Sequence, residues 1–157
     1  MLGRFCIGFI AATVALTGAA SAIQVKREVD AKGEAAKVWA DIGGWCAIST
    51  WHPAIAKCEE TEAGGKKHRT LTLKDGGVIK ETMLKSGKTS YTYRIDESPL
   101  PVSQYTATFA VVGNKGAGKG SKVMWSAKFA PKGKAADAEK VIGGVFDGGL
   151  GQIKSKY

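Results

Sequence analysis

Apolar and polar residues alternate along seven segments of the chain, with the period of two that half-buried β-strands show. Turns rich in glycine separate several of these segments. Lys74-Asp75-Gly76-Gly77 is typical of a β-hairpin turn, because glycine adopts positive φ at no steric cost. Strands joined by such short turns pair antiparallel. The predicted strands are 23–29, 54–62, 67–73, 78–85, 90–96, 102–112 and 121–130.

Two helical regions accompany this run of strands. Residues 34–42 repeat apolar side chains at helical spacing, and the connection 45–53 is predicted as a turn or a broken helix because Pro53 disfavours a strand. From Ala135 to the C-terminus an apolar stripe at i, i+3 and i+4 spacing predicts a long helix. Five glycines lie within it, each unfavourable by about 1 kcal/mol relative to alanine. Packing against the sheet must therefore stabilise this helix.

The order of elements predicts an α+β domain whose C-terminal helix covers the apolar face of the sheet. No other long amphipathic element in the chain can do so. A curved antiparallel sheet of about seven strands would wrap around that helix, with short helices after the first strand. Such a sheet leaves a hollow between itself and the helix, which large side chains would line. Residues 23–157 are predicted to form this single domain.

The first 22 residues are typical of a secretory signal peptide. Arg4 precedes an apolar run from Phe5 to Leu16, and Ala20-Ser21-Ala22 supplies the small residues of a cleavage site. The run is shorter than the roughly 20 apolar residues that a transmembrane helix needs. We therefore expect cleavage after Ala22, export to the periplasm, and no membrane span.

The chain carries a formal net charge of +9, mostly from lysines spread along its length. Charge spread in this way is typical of solvated surfaces, and it would also suit an acidic protein partner. Nucleic acid is not an expected partner, because the protein is predicted to be exported and has no evident module of stacking aromatic residues.

Two cysteines remain after the predicted cleavage, Cys46 and Cys58. An even pair in an oxidising compartment permits a disulfide, and two separate buried thiols are the alternative. Together with His52 and His68 these cysteines lack the close ligand pairs of metal sites. Neither a metal nor another cofactor is therefore expected.

Several short motifs occur in the order and spacing of a known superfamily. They are Trp51-His52-Pro53, Arg69-Thr70-Leu71-Thr72-Leu73, Gly76-Gly77-Val78-Ile79-Lys80-Glu81, Ser98-Pro99-Leu100-Pro101-Val102 and Trp125-Ser126-Ala127-Lys128-Phe129. With the order of elements, they make the chain resemble the helix-grip proteins, the START, Bet v 1 and polyketide-cyclase-like (SRPBCC) superfamily. The resemblance implies a deep cavity for small apolar or amphipathic ligands. It extends to an exported bacterial branch that accompanies methanol dehydrogenase in periplasmic methanol oxidation.

The polar candidates for a ligand site are His52, Arg69 and Glu81. A weaker likeness to plant abscisic-acid receptors places His52 near the position that meets the ligand carboxylate, and matches their entrance loops with 62–65 and 97–101. A surface or capping role is the alternative for this histidine. Arg69 and Glu81 fall on neighbouring strands, where they form either a buried pair or a surface salt bridge.

Aromatic side chains are the candidates for the apolar wall of the cavity. Alternation places Tyr91 and Tyr93 on one face of their strand, and Trp125 and Phe129 on one face of theirs. Rings at this spacing also serve as ordinary core residues. The wall candidates are Tyr91, Tyr93, Tyr105, Trp125, Phe129 and Phe146.

Three functions are compatible with these features. The first is a non-enzymatic periplasmic protein that binds a small hydrophobic or amphipathic ligand. The second is an accessory protein that docks on an acidic periplasmic redox partner, such as a methanol dehydrogenase system. The third is a cyclase-like enzyme with His52, Glu81 or a tyrosine as its acid–base group. The sequence has no G-x-S-x-G elbow, phosphate loop or H-E-x-x-H helix, which favours binding over catalysis.

Overall fold

The computed structural model describes residues 22–115 and 120–157. Strand β1 (Ile23–Ala31) is followed by helix α1 (Ala35–Ile42) and the short helix α2 (Ile48–Trp51). The predicted signal peptide lies outside the described residues except for Ala22. The remaining elements are β2 (Ile55–Ala63), β3 (Lys66–Leu73), β4 (Val78–Ser86), β5 (Ser90–Glu97), β6 (Val102–Gly113), β7 (Ser121–Pro131) and α3 (Ala135–Lys156).

The strands form one antiparallel sheet in the order β1-β7-β6-β5-β4-β3-β2. Helix α3 packs against β1 and β7, and α2 contacts both β2 and α3. The predicted α+β helix-grip fold is therefore confirmed. Because the sheet is open, β1 and β2 are its two edges. Within the described ranges, no helix is long and apolar enough to cross a membrane.

The core lies between one face of the sheet and α3. Alternate residues of β6 and β7 are buried on this face, as the period of two predicts. The helix contributes a buried stripe at helical spacing, Ile142, Phe146, Leu150 and Ile153. This layer of large apolar side chains positions α3 over the sheet.

A disulfide joins Cys46, in the connection between α1 and α2, to Cys58 in the edge strand β2. The two Cα atoms are 5.5 Å apart, within the usual range for a disulfide. The bond fixes the start of the short helix α2 to the sheet. Since α2 leads directly to His52, the bond also restrains one of the candidate site residues.

Gly149 allows α3 to approach α2 and β7 closely. A Cβ atom at this position would lie 2.6 Å from His52 Cδ2, 2.9 Å from Trp51 Cζ3 and 3.1 Å from Trp125 Cζ3. Gly144, on an exposed part of the same helix, has no such neighbour within 4 Å. The glycines of α3 therefore differ in role, because only some of them permit close packing.

We expect Gly149→Ala to lower the free energy of unfolding by about 1–3 kcal/mol, because three rings must shift to accommodate the methyl group. The matched variant Gly144→Ala is expected to raise that free energy by about 0.5–1 kcal/mol, since alanine favours the helix and has open space. Urea denaturation followed by circular dichroism measures both. Equal effects of the two substitutions would contradict the close packing at Gly149.

Candidate functional site

A cavity of about 80 Å³ lies between the sheet and α3. Most of its lining is apolar and comes from α2, α3 and the strands β2 to β7. His52, Glu81, Tyr93 and Tyr105 are the polar residues in the lining. The apolar lining residues are Ile48, Ala54, Ile55, Leu71, Leu73, Ile79, Ile95, Leu100, Trp125, Ile142 and Val145.

The loop between β5 and β6 forms part of the cavity wall. It supplies Leu100, and its Pro99 lies close to Gly77 in the turn between β3 and β4. Of the two predicted entrance loops, 97–101 thus reaches the cavity. The other, 62–65, supplies no lining residue. Leu73, the last residue of β3 before the turn to β4, lines the cavity instead.

Arg69 and Glu81 are direct cross-strand neighbours on β3 and β4, and both are buried, with 1% and 4% of their surfaces exposed. Arg69 Nε donates a hydrogen bond of 2.5 Å to Glu81 Oε2, and Nη1 donates one to the carbonyl oxygen of Trp45. The guanidinium carbon lies 3.8 Å from the centroid of the Trp45 ring, a cation–π contact. The pairing of β3 with β4 places the two side chains side by side, and Trp45, in the connection between α1 and α2, covers Arg69. Together they hold this ion pair inside the protein.

For each member of this pair, burial and the charge of the partner shift the pKa in opposite directions. Burial raises the pKa of the Glu81 carboxyl, and the adjacent Arg69 guanidinium opposes the rise. Burial has the largest single effect on Arg69 and would lower its pKa, but the charge of Glu81, the neighbouring Tyr91 and Tyr93, and the hydrogen bond to Glu81 together outweigh it, so that pKa is raised. Arg69 therefore stays protonated, and it needs the carboxylate form of Glu81 as its counter-charge.

His52 is buried at the end of α2 with both ring nitrogens in hydrogen bonds. The backbone N–H of Ala54 donates to Nδ1 at 3.2 Å, and Nε2 lies 3.0 Å from the carbonyl oxygen of Val145 in α3. Since Nδ1 is an acceptor, the proton must be on Nε2, which donates to Val145. Burial lowers the pKa of His52, so the ring is neutral near pH 7.

Two aromatic residues on the cavity wall are linked by a hydrogen bond. Trp125 Nε1 donates to the hydroxyl oxygen of Tyr93 at 2.9 Å. Because this bond uses the Tyr93 oxygen as an acceptor, its O–H can donate, and Tyr105 is its partner. Burial raises the pKa of Tyr93 and that of Tyr105, so both are neutral phenols.

The other three aromatic candidates lie behind the wall. The Phe146 ring stacks on Trp125 with centroids 4.4 Å apart, and Phe129 stacks on Tyr105 at 6.1 Å. The centroid of Tyr91 lies 5.1 Å from that of Trp45. None of the three lines the cavity, so they support wall residues rather than offering contacts to a ligand.

Branched aliphatic side chains form more of the wall than sequence reasoning indicated. Strand alternation could have found Leu71 and Ile79, because they share a face with Arg69 and Glu81 respectively. Ile142 and Val145 belong to α3, and their position over the cavity depends on how the helix rotates against the sheet. The apolar stripe predicts which face of α3 is buried, but not which residues of that face lie over the cavity.

Known proteins resemble this chain in sequence and in fold. A family model described as "Polyketide cyclase / dehydrase and lipid transport" matches residues 22–157. No curated protein matches the chain. Among solved structures, the protein XoxI of Bacillus cereus is similar, with 28% identity, a TM-score of 0.76, and coverage of 87% of this chain and 95% of that one.

Two further structures extend the comparison. A protein of Thermobifida fusca is 26% identical, with a TM-score of 0.74 and coverage of 85% of this chain and 92% of that one. The Zhui aromatase/cyclase of Streptomyces sp. R1128 is 12% identical, with a TM-score of 0.64 and coverage of 87% and 93%, and shows the fold alone. The predicted resemblance is confirmed: this chain belongs to the polyketide cyclase/dehydrase and lipid transport family, within the SRPBCC superfamily.

Proposed function

We propose that this protein is a periplasmic, non-enzymatic binding protein that holds a small hydrophobic or amphipathic ligand between the sheet and α3. The observation that carries the proposal is the cavity, whose wall is largely apolar with a few buried polar groups. Apolar burial supplies affinity in such a site, and a few polar groups fix the orientation of the ligand.

The polar groups of the wall support binding better than acid–base catalysis. Both nitrogens of His52 already have hydrogen-bond partners, so the ring has no free position from which to transfer a proton. Glu81 is held by Arg69 as the counter-charge of a buried cation. A general base must reach the proton that it removes, and neither residue is free to do so in this arrangement.

The size of the cavity limits the ligand. A cavity of roughly 150 Å³ in another protein binds benzene, and the volume here is about 80 Å³. In this arrangement the cavity therefore suits only a compound smaller than benzene. A larger ligand would require α3 or the β5–β6 loop to move outward.

The disulfide supports the proposed location. Disulfides persist in oxidising compartments such as the periplasm and are rare in the bacterial cytoplasm. The Cys46–Cys58 bond is compatible with export through the signal peptide predicted at 1–22. N-terminal sequencing of protein from a periplasmic extract tests both, with Ile23 expected as the first residue.

Native mass spectrometry of the protein purified from its own host tests ligand binding. We expect an additional mass that denaturation releases. The variant Val145→Phe should lose it, because the larger side chain fills the cavity that Val145 lines. The matched variant Val141→Phe should keep it, because Val141 is 39% exposed on the previous turn of α3 and does not line the cavity.

Two outcomes would contradict the proposal. One is an unmodified mass for the wild-type protein, together with no response to added apolar compounds in NMR titrations. The other is equal retention of the additional mass by Val145→Phe and Val141→Phe, which would place the ligand elsewhere.

A further inference from the structure

The cavity wall contains one carboxylate, and only one of its oxygens has a hydrogen-bond partner. Glu81 Oε2 accepts from Arg69, and no other described residue donates to Glu81. The side chain is nevertheless buried and lines the cavity. Oε1 is therefore an open acceptor inside a mostly apolar space. Because hydrogen bonds to charged groups are stronger than those between neutral groups, a ligand that donates to this oxygen from the cavity gains affinity.

The net charge of the wall is close to zero. The charge of Glu81 is balanced by Arg69, and His52 is neutral because it is buried and both of its nitrogens are engaged. A ligand carboxylate would add an unbalanced negative charge next to Glu81. An ammonium group would leave two cations around one carboxylate. Either excess charge is strongly unfavourable in an apolar site, whereas a neutral ligand leaves the balance intact.

We infer that the ligand is a small neutral aliphatic alcohol, whose O–H donates to Glu81 Oε1 while its hydrocarbon part contacts the aliphatic wall. This inference rests on the proposed function, since it names the ligand class of the same cavity. The hydrocarbon part lies against residues of the sheet and α3, such as Leu71, Ile79 and Val145.

Two other buried donors near the pair do not change this ligand class. Arg69 Nη2 and Trp45 Nε1 have no hydrogen-bond partner, which by itself would favour an acceptor group. Neither Arg69 nor Trp45 lines the cavity. A ligand in the cavity therefore contacts Glu81 rather than these two donors.

The test compares four probes that share an isopropyl group and differ in the group attached to it: isobutanol, isopentane, isobutylammonium and isobutyrate. Their dissociation constants for the purified protein are measured by NMR titration at pH 7, for the wild type and for Arg69→Met/Glu81→Leu. Replacing both members of a buried ion pair with apolar residues usually preserves the fold. We expect the ratio of isobutanol to isopentane affinity to be about tenfold or more higher in the wild type than in the double variant, because the hydrogen bond to a charged acceptor is lost.

A second measurement uses only the wild-type protein, so it does not depend on correct folding of the double variant. The Glu81 side-chain ¹³Cδ resonance should shift on addition of isobutanol and not on addition of isopentane. Isobutylammonium and isobutyrate should each bind at least about tenfold more weakly than isobutanol.

The outcomes separate this inference from the proposed function. If the ratio of isobutanol to isopentane affinity is the same in the double variant as in the wild type, cavity binding stands and the hydroxyl inference fails. Tighter binding of isobutyrate or isobutylammonium than of isobutanol also overturns it. If none of the probes binds but the protein from its own host carries the additional mass, cavity binding stands and the hydroxyl inference fails. If the additional mass is also absent, the proposed function itself fails.

Discussion

Glu81→Leu is expected to lower the free energy of unfolding by about 3–5 kcal/mol, because it leaves Arg69 as a buried cation without its carboxylate. Arg69 is 1% exposed, so water cannot replace the lost partner without opening the core. An ordinary domain is stable by about 5–15 kcal/mol, and this change is a large part of that total. Urea denaturation at pH 7, followed by tryptophan fluorescence, measures it.

The double variant Arg69→Met/Glu81→Leu is the control for this prediction. It removes both charges, so no unpaired ion remains, and we expect it to recover most of the lost free energy of unfolding. Part of the loss should persist, because the Trp45 carbonyl also loses its hydrogen bond from Arg69 Nη1. If the double variant is as unstable as Glu81→Leu, the loss comes from packing rather than from charge.

Removal of the disulfide is expected to lower the free energy of unfolding by about 3 kcal/mol. The bond links residues that are 12 apart in the sequence, and the chain-entropy estimate for a loop of this length gives a value of that size. Replacing Cys46 and Cys58 together with serine avoids leaving a reactive thiol. Thermal and urea denaturation of this variant and of the oxidised wild type measure the difference.

Reduction of the wild-type protein is the control for the disulfide. Dithiothreitol should produce a loss similar to that of the double serine variant, and it should have no effect on that variant. If the serine variant loses free energy of unfolding and the reduced wild type does not, the loss comes from the introduced hydroxyl groups rather than from removal of the disulfide.

The architecture was largely predictable because it depends on local periodicity. The alternation of apolar residues in β7 and the apolar stripe of α3 each indicate an element with one buried face. The lengths of these patterns distinguish a strand from a helix. The cross-strand position of Arg69 and Glu81 follows from a short turn with Gly76 at φ +90°. A hairpin turn of this kind fixes the register of the strands that it joins.

The details of the site depend on contacts that are distant in sequence. His52 bonds to Val145, 93 residues later, and no pattern around either residue indicates this pairing. The role of Gly149 is similar, since its neighbours belong to α2 and β7. Sequence spacing likewise left a disulfide and two separate thiols as alternatives, because the distance between Cys46 and Cys58 depends on where α2 lies against the sheet.

The open sheet has a consequence for the behaviour of the protein in concentrated solution. Strand β2 pairs only with β3, so its outer backbone edge can accept a strand from another molecule. Its exposed side chains include Glu59, Glu60 and Glu62. Lys57 pairs with Glu59, and Lys67 pairs with Glu60. A second copy that approached edge to edge would have to remove water from this row of charges, which disfavours assembly into extended sheets. The charged edge of β2 thus disfavours aggregation of the folded protein through this strand.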